Sequence, residues 1–306
     1  MKVCFVGAGS IGKRHIKNFA QICKKNNVDL VIHLYRVTNK PLENEVAKHI
    51  NKIILKEKDL DERYDAVFIT NPTYKHYETI EMFINRTDTF FVEKPVFDTT
   101  EVDITNLMKL DKIFYVACPL RYTQVLLDAK STVSNEKVLS ARAISSSYLP
   151  DWREGIDYRE TYSAHKDQGG GVKIDLIHEW DYLISLFGKP KRIHSFYGKY
   201  SQLEIDCEDI AVYIAQYDDK MVELHLDYFG RKVRRNLEVR TIDHEYIFDI
   251  AESKVYQDGK IVREYSEDSN DKYIREMESF YQLLCGETFS KNNLQNAVDT
   301  MEIAEG

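Results

Sequence analysis

Three glycines, Gly7, Gly9 and Gly12, stand at the spacing G-x-G-x-x-G in FVGAGSIGKRH, directly behind the apolar run KVCFV and ahead of a segment with apolar residues at helical spacing. No other feature restricts the fold as much. A strand that turns at once into a helix needs one residue free of a Cβ in the turn and another where the helix packs back on the strand. The triplet alone is weak, because glycines also punctuate ordinary turns. Its position after a strand and at the start of a helix supplies the context of a dinucleotide-binding fingerprint. Gly7 then permits the turn, Gly9 lets the backbone approach a pyrophosphate, and Gly12 admits close helix packing. The first helical turn offers N–H groups and the positive end of the helix dipole to the phosphates.

The rest of the first third supports this reading. Strand-like runs KVCFVG, VIHLY, AVFIT, FFVEK and FYVAC alternate with helix-period segments at 11–25, 43–49, 77–85 and 100–110. That alternation predicts βαβ units on a doubly wound parallel sheet. Near residue 120 the texture changes to alternating runs, VLSARAISSSYL, DIAVYIAQYDD, KMVELHLDYF, NLEVRTID and HEYIFDI. These predict a large, mostly antiparallel open sheet with one helix, 174–186, inserted and further helical segments near 272–284 and 294–304. The expected organisation is a Rossmann domain at 1–120 and a second α/β domain at 121–306.

At 306 residues the chain is long enough for two cores. With 42 Lys and Arg against 50 Asp and Glu, the net charge of −8 argues against nucleic acid or an anionic membrane as partner. The basic residues 231–235 read as solvated strand ends. Five scattered cysteines without a C-x-x-C pair predict a reduced, cytoplasmic setting and no cysteine metal site. No apolar stretch approaches the roughly 20 residues of a membrane span.

Ligands of open α/β sheets bind beyond the carboxyl ends of the strands, and two polar motifs fall there. NPTYKH, 71–76, follows AVFIT, and Glu93, Lys94 and Pro95 close the next strand. Pro95 restricts Lys94 to an extended conformation, which holds the lysine at the crevice mouth. The second strand ends in LYRVTNK, with Arg36 where an acid would bond the ribose of NAD. Arg36, with Lys40 nearby, is placed to accept the 2′-phosphate of NADP; stacking on adenine, or pointing to water, is the other reading.

GAGSIGKRH, NPTYKH and EKP, together with CPLRYTQ and GGGVKIDLIHEWDYL (169–183), resemble the Gfo/Idh/MocA family of NAD(P)-dependent oxidoreductases over essentially the whole chain. The resemblance implies a Rossmann domain followed by an α/β domain whose open sheet mediates assembly into a homodimer or homotetramer. It implies cofactor contacts from Gly7, Gly9, Ser10, Ile11, Gly12, Arg36, Thr70, Asn71, Pro72, His76, Glu93, Lys94 and Arg121. It further implies a catalytic group of Lys94, Asp175 and His178. Many members separate that Asp and His by four positions, and here the interval is three. Either spacing puts both on one face of a continuous helix. Asp181, three residues on the other side of His178, is a second candidate to orient the ring.

Hydride transfer from a carbinol carbon leaves a proton on oxygen, and an imidazole titrates in the range suited to take it. His178 fits that role, with Lys94 bonding the same oxygen and Asp175 orienting the ring. Residues 148–168 form an aromatic, arginine-rich segment in which Trp152, Arg153, Tyr158, Arg159 and Tyr162 offer stacking faces and forked donors to a sugar or an anionic group. The same side chains can equally pin the loop to its own domain. This loop resembles that of relatives in bacterial surface-polysaccharide pathways, and the resemblance implies a sugar, nucleotide sugar or polyol as substrate and a role in surface-polysaccharide synthesis. Two alternatives stay open: an NAD-dependent glycoside hydrolase that oxidises, eliminates and reduces again, and a non-catalytic NAD(P)-binding regulator.

Overall fold

The computed structural model describes residues 1–287 and 292–306. Two compact units emerge: residues 1–119 with 270–298, and residues 120–269 with 299–306.

In the first unit the chain runs β1 (Lys2–Val6), α1 (Ser10–Lys25), β2 (Val31–Tyr35), α2 (Asn44–Ala47), β3 (Lys52–Ile54), β4 (Ala66–Ile69), α3 (His76–Phe83), β5 (Thr89–Val92), α4 (Thr105–Met108) and β6 (Ile113–Val116). The strands form one sheet in the order β3-β2-β1-β4-β5-β6, and every pair is parallel. β1, β4 and β5 are buried almost throughout, as strands covered on both faces must be. The order reverses between β1 and β4, the topological switch point of a Rossmann fold. Two expected helices are shorter than their apolar spacing suggested, since 43–49 and 100–110 hold only the single turns of α2 and α4. The short strand β3 had no clear sequence signal.

The second unit holds α5 (Gln124–Asn135), β7 (Val138–Tyr148), α6 (Val172–Asp175), α7 (His178–Phe187), β8 (Arg192–Gly198), β9 (Ile210–Gln216), β10 (Met221–Asp227), β11 (Phe229–Thr241), β12 (Glu245–Asp249), β13 (Lys254–Gln257) and β14 (Lys260–Glu264). Its eight-stranded sheet has the order β14-β13-β12-β11-β7-β10-β9-β8 and is antiparallel except for β7 and β10. The period-two alternation sorts the two faces. Ala215, Val222, Ala141, Val239 and Tyr246 lie side by side across the strands and are buried. Their neighbours on the opposite face include exposed Ile214 and Glu223. The mixed α/β class expected from the sequence is therefore the class observed. Helix α5 was not foreseen, although Thr123 caps it through its side chain on the Leu126 N–H.

The chain closes with α8 (Asp271–Leu284) and α9 (Leu294–Glu305). The change of texture near residue 120 assigns everything from 121 onward to the second domain, whereas residues 270–298 group with the first unit. The reason is long-range packing. Phe280 of α8 sits edge-on to Phe68 and Phe91 at ring distances of 5.2 Å each, and Asn270 exchanges side-chain hydrogen bonds with Asn18. Helical periodicity marks the apolar face of α8 and leaves its partner unspecified.

Candidate active site

The glycine loop of the first unit gives each glycine a distinct environment. Gly7 has φ +91°, in the region that favours glycine, and a Cβ there would also lie 3.0 Å from the Asn71 Cα. At Gly12 a Cβ would meet Thr70 Oγ1 at 2.7 Å and the Gly7 carbonyl oxygen at 2.9 Å. Thr70 is itself fixed, its hydroxyl donating to the carbonyls of Val6 and Gly7. Nothing lies within 4 Å of the Cβ position at Gly9. Helix α1 starts after Gly9 without a side-chain cap and without an acidic residue in its first turn. An open approach at Gly9 and uncapped N–H groups at Ser10, Ile11 and Gly12 form a cradle that fits a pyrophosphate.

Around this loop the carboxyl ends of β4 and β5 carry the other expected residues. Asn71 donates to Thr79 Oγ1, and its own side-chain oxygen is buried without a hydrogen-bond partner. His76 is buried, with Nε2 3.0 Å from the Asn71 carbonyl oxygen and Nδ1 3.1 Å from that of Val96. Burial holds its pKa below the usual imidazole value, against the pull of those carbonyls. The neutral ring, with a single N–H, lies between the segments after β4 and β5 and donates to one of these two carbonyls. Pro72 begins the turn that leads to α3. Arg36 follows β2, its N–H bonded to the Ile54 carbonyl and its Nε buried without a hydrogen-bond partner.

Glu93 follows β5 directly and is buried. Its Oε1 lies 2.5 Å from Nε2 of His15, and its Oε2 accepts the N–H of Lys94 at 3.2 Å. Burial alone would push the Glu93 carboxyl up; the hydrogen bond and charge of His15, followed by the charge of Lys94, outweigh it and hold the group below the usual glutamate range. His15 was not singled out from the sequence. The available signal was its place, with Asn18, among the apolar positions on the buried face of α1, three residues after Gly12.

In the second unit, 174–186 is two helices rather than one. α6 ends at Asp175 and α7 begins at His178, with Leu176 between them at φ −97° and ψ 27°. Asp175 and His178 therefore do not share a face of one continuous helix. Leu176 and Ile177 are both buried and apolar, so the hydropathy pattern runs through the break unchanged. Asp175 is buried and accepts three hydroxyl hydrogen bonds: Tyr162 at 2.8 Å, Ser163 at 2.6 Å and Tyr228 at 3.0 Å. Burial, then the Asp175 charge, pushes the Tyr162 and Tyr228 hydroxyls up, so both remain donors. Asp181 holds Arg121 in a fork, Nε at 2.8 Å and Nη2 at 2.6 Å. Arg121, expected at the cofactor, is engaged in this pair. Next to His178, Glu179 is fully buried 2.7 Å from Arg235 Nε, and burial pushes its carboxyl up.

The aromatic loop divides in the same way. Trp152 donates to Ser147 Oγ at 2.8 Å and stands edge-on to Tyr228, and the Tyr158 hydroxyl accepts the Glu204 N–H. Arg159 is clasped by Asp157 and Glu204. These three side chains pin the loop to its own unit, and Arg159 is not a spare anion donor as expected. Arg153 stays exposed, with its guanidinium 5.3 Å from the centre of the Tyr162 ring.

The all-parallel sheet with reversed strand order, carrying a glycine cradle at the N-terminus of α1, is the architecture of a Rossmann domain and fits a dinucleotide. Residues 1–112 match the Gfo/Idh/MocA family, described as "Oxidoreductase family, NAD-binding Rossmann fold". No curated protein matches the sequence. Among solved structures, a levoglucosan dehydrogenase in complex with NADH shares 14% identity at a TM-score of 0.84, over 100% of this chain and 95% of that one. The myo-inositol 2-dehydrogenase of Lactobacillus plantarum shares 20% identity at 0.78, with the same coverage of both chains. The UDP-N-acetylglucosamine 3-dehydrogenase of Acidithiobacillus ferrooxidans shares 15% at 0.77, again over 100% and 95%. At these identities the likeness is one of fold.

Proposed function

We propose that the protein is an NAD(P)-dependent dehydrogenase or reductase acting on a CH–OH carbon of a sugar, nucleotide sugar or related polyol. The observation that carries this reading is the cradle at Gly9 and the uncapped α1 N-terminus, which fits a dinucleotide. The cofactor supplies the hydride acceptor or donor. Lys94, at the strand end after β5, donates a hydrogen bond to the reacting oxygen. His178 accepts the proton that oxidation leaves on that oxygen, or returns it in reduction. Asp175, already holding three hydroxyls, supports charge at the histidine. Arg153 and the ring of Tyr162 offer a donor and a stacking face to the sugar. The neighbours are named as dehydrogenases of levoglucosan, myo-inositol and UDP-N-acetylglucosamine, which supports a sugar-type substrate.

Arg36 favours NADP, since among the described residues its buried Nε has no hydrogen-bond partner and no acid stands at 36–42. Assembly into a homodimer or homotetramer through the open sheet face accounts for the exposure of Phe196, Ile214 and Met221 on β8, β9 and β10. The test is a screen of sugars and nucleotide sugars with both cofactors, with Lys94→Ala and His178→Ala in parallel. Each variant is expected to bind cofactor and to lose turnover by a factor on the order of 10² or more. Full activity in Lys94→Ala would overturn the assignment.

A further inference from the structure

His15 is wholly buried on α1, among the rings of Phe91 at 4.9 Å and Tyr273 at 6.1 Å. An imidazole placed there without a partner would be costly. Among the described residues its one polar contact is Nε2 on Glu93 Oε1, and Nδ1 has no hydrogen-bond partner. Proton placement follows from that asymmetry. Nε2 carries a proton in both the charged ring and the Nε2–H tautomer, whereas the Nδ1–H tautomer would turn a lone pair toward Glu93 Oε1 and leave a buried N–H unbonded. His15 is then the donor and Glu93 the acceptor. The second Glu93 oxygen is also an acceptor, since it takes the backbone N–H of Lys94. Only a carboxylate offers two acceptor oxygens, because a glutamine amide would turn an NH2 toward one of the two donors.

We propose that His15 and Glu93 are positioning residues, a relay from helix α1 through the Glu93 carboxylate to the Lys94 backbone that sets the direction of the Lys94 side chain. The relay also ties that lysine to the helix whose N-terminus forms the dinucleotide cradle. Its second anchor is independent: the His76 ring, on α3, places Nδ1 3.1 Å from the Val96 carbonyl oxygen, two residues beyond Lys94. The strand end bearing the lysine is thus gripped from both sides, and neither histidine touches the reacting atoms. The inference rests on the role proposed for Lys94 above.

The test uses Glu93→Gln, His15→Gln and His15→Ala beside Lys94→Ala. Turnover is read with NAD+ and NADP+ on myo-inositol, levoglucosan and UDP-N-acetylglucosamine, and cofactor binding by quenching of protein fluorescence with NADH and NADPH. A second readout needs no substrate: the rate at which trinitrobenzenesulfonate labels Lys94 relative to Lys2 and Lys112, resolved by peptide mass. Glu93→Gln and His15→Ala are expected to lower kcat by about tenfold to a hundredfold, the scale of a misplaced catalytic group. Cofactor affinity and substrate KM should stay near wild type, and Lys94 labelling should change while the two control lysines do not. His15→Gln, which keeps a donor, should recover part of the loss. In the double variant Glu93→Gln/Lys94→Ala, the two losses should not add. If Lys94→Ala is inactive while Glu93→Gln and His15→Ala keep wild-type kcat and labelling, the relay is wrong and the lysine assignment stands. If Lys94→Ala is fully active, the lysine assignment itself fails. Uniformly faster labelling of all three lysines would mean that the pair only maintains the fold, which also overturns the proposal.

Discussion

A Cβ added at Gly12 would stand 2.7 Å from Thr70 Oγ1, closer than real side chains approach, whereas one added at Gly9, three residues earlier, would meet nothing within 4 Å. The two glycines therefore serve different ends, and substitution separates them. Gly12→Ala should destabilise the first unit by about 1 to 3 kcal/mol through overpacking against β4. Gly9→Ala should leave stability within about 0.5 kcal/mol of wild type, as at an unencumbered surface site, and weaken dinucleotide binding. Urea unfolding and a cofactor titration on each variant check this. A Gly9→Ala protein that binds cofactor normally would mean the phosphates lie elsewhere.

Arg36 gives a second prediction. The wild type is expected to bind NADP more tightly than NAD. Loss of a charge-assisted bond in Arg36→Ala should weaken NADP by about 1.5 to 3 kcal/mol and leave NAD nearly unchanged. Equal losses for both cofactors would instead show that the guanidinium stacks on adenine.

The aromatic loop yields a third. Arg159 is already occupied by Asp157 and Glu204, so Arg159→Ala should leave substrate KM and kcat near wild type. Arg153→Ala, which removes an exposed guanidinium beside Tyr162, should raise KM. Steady-state kinetics that ranked the two arginines the other way would return Arg159 to the substrate.

His76 sets a pH dependence. Its native pKa is depressed by burial, while in the unfolded chain it titrates near 6.5. Above that value both states are neutral and pH has no effect through this group. As pH falls below it, the unfolded chain takes up the proton first, and the native state loses up to about 1.4 kcal/mol per pH unit until the depressed native pKa is reached. His33 and His49 are shifted in the same direction, so the measurement is a difference. The stability advantage of wild type over His76→Asn should be largest near pH 7.5 and shrink by pH 5.5. A constant gap would show that the ring makes no such contribution.

The sequence by itself determined the glycine cradle, the parallel first sheet and the alternating second sheet. Each of these is written in short-range patterns, as a turn that tolerates only glycine, a period of two, or a period near 3.6. Tertiary structure decided the rest, because the deciding partners lie far along the chain. Residues 270–298 belong to the first unit because Phe280 packs on Phe68 and Phe91. The helix expected over 174–186 breaks beside Asp175, whose partner Tyr228 lies 53 residues on. Arg159 is neutralised by Glu204, 45 residues away, and Glu93 is matched to His15 across 78. Periodicity tells which face of an element is buried. Only packing fixes which hydroxyl, carboxylate or ring it is buried against, since a buried polar group is stable only where a complementary partner has been brought to it.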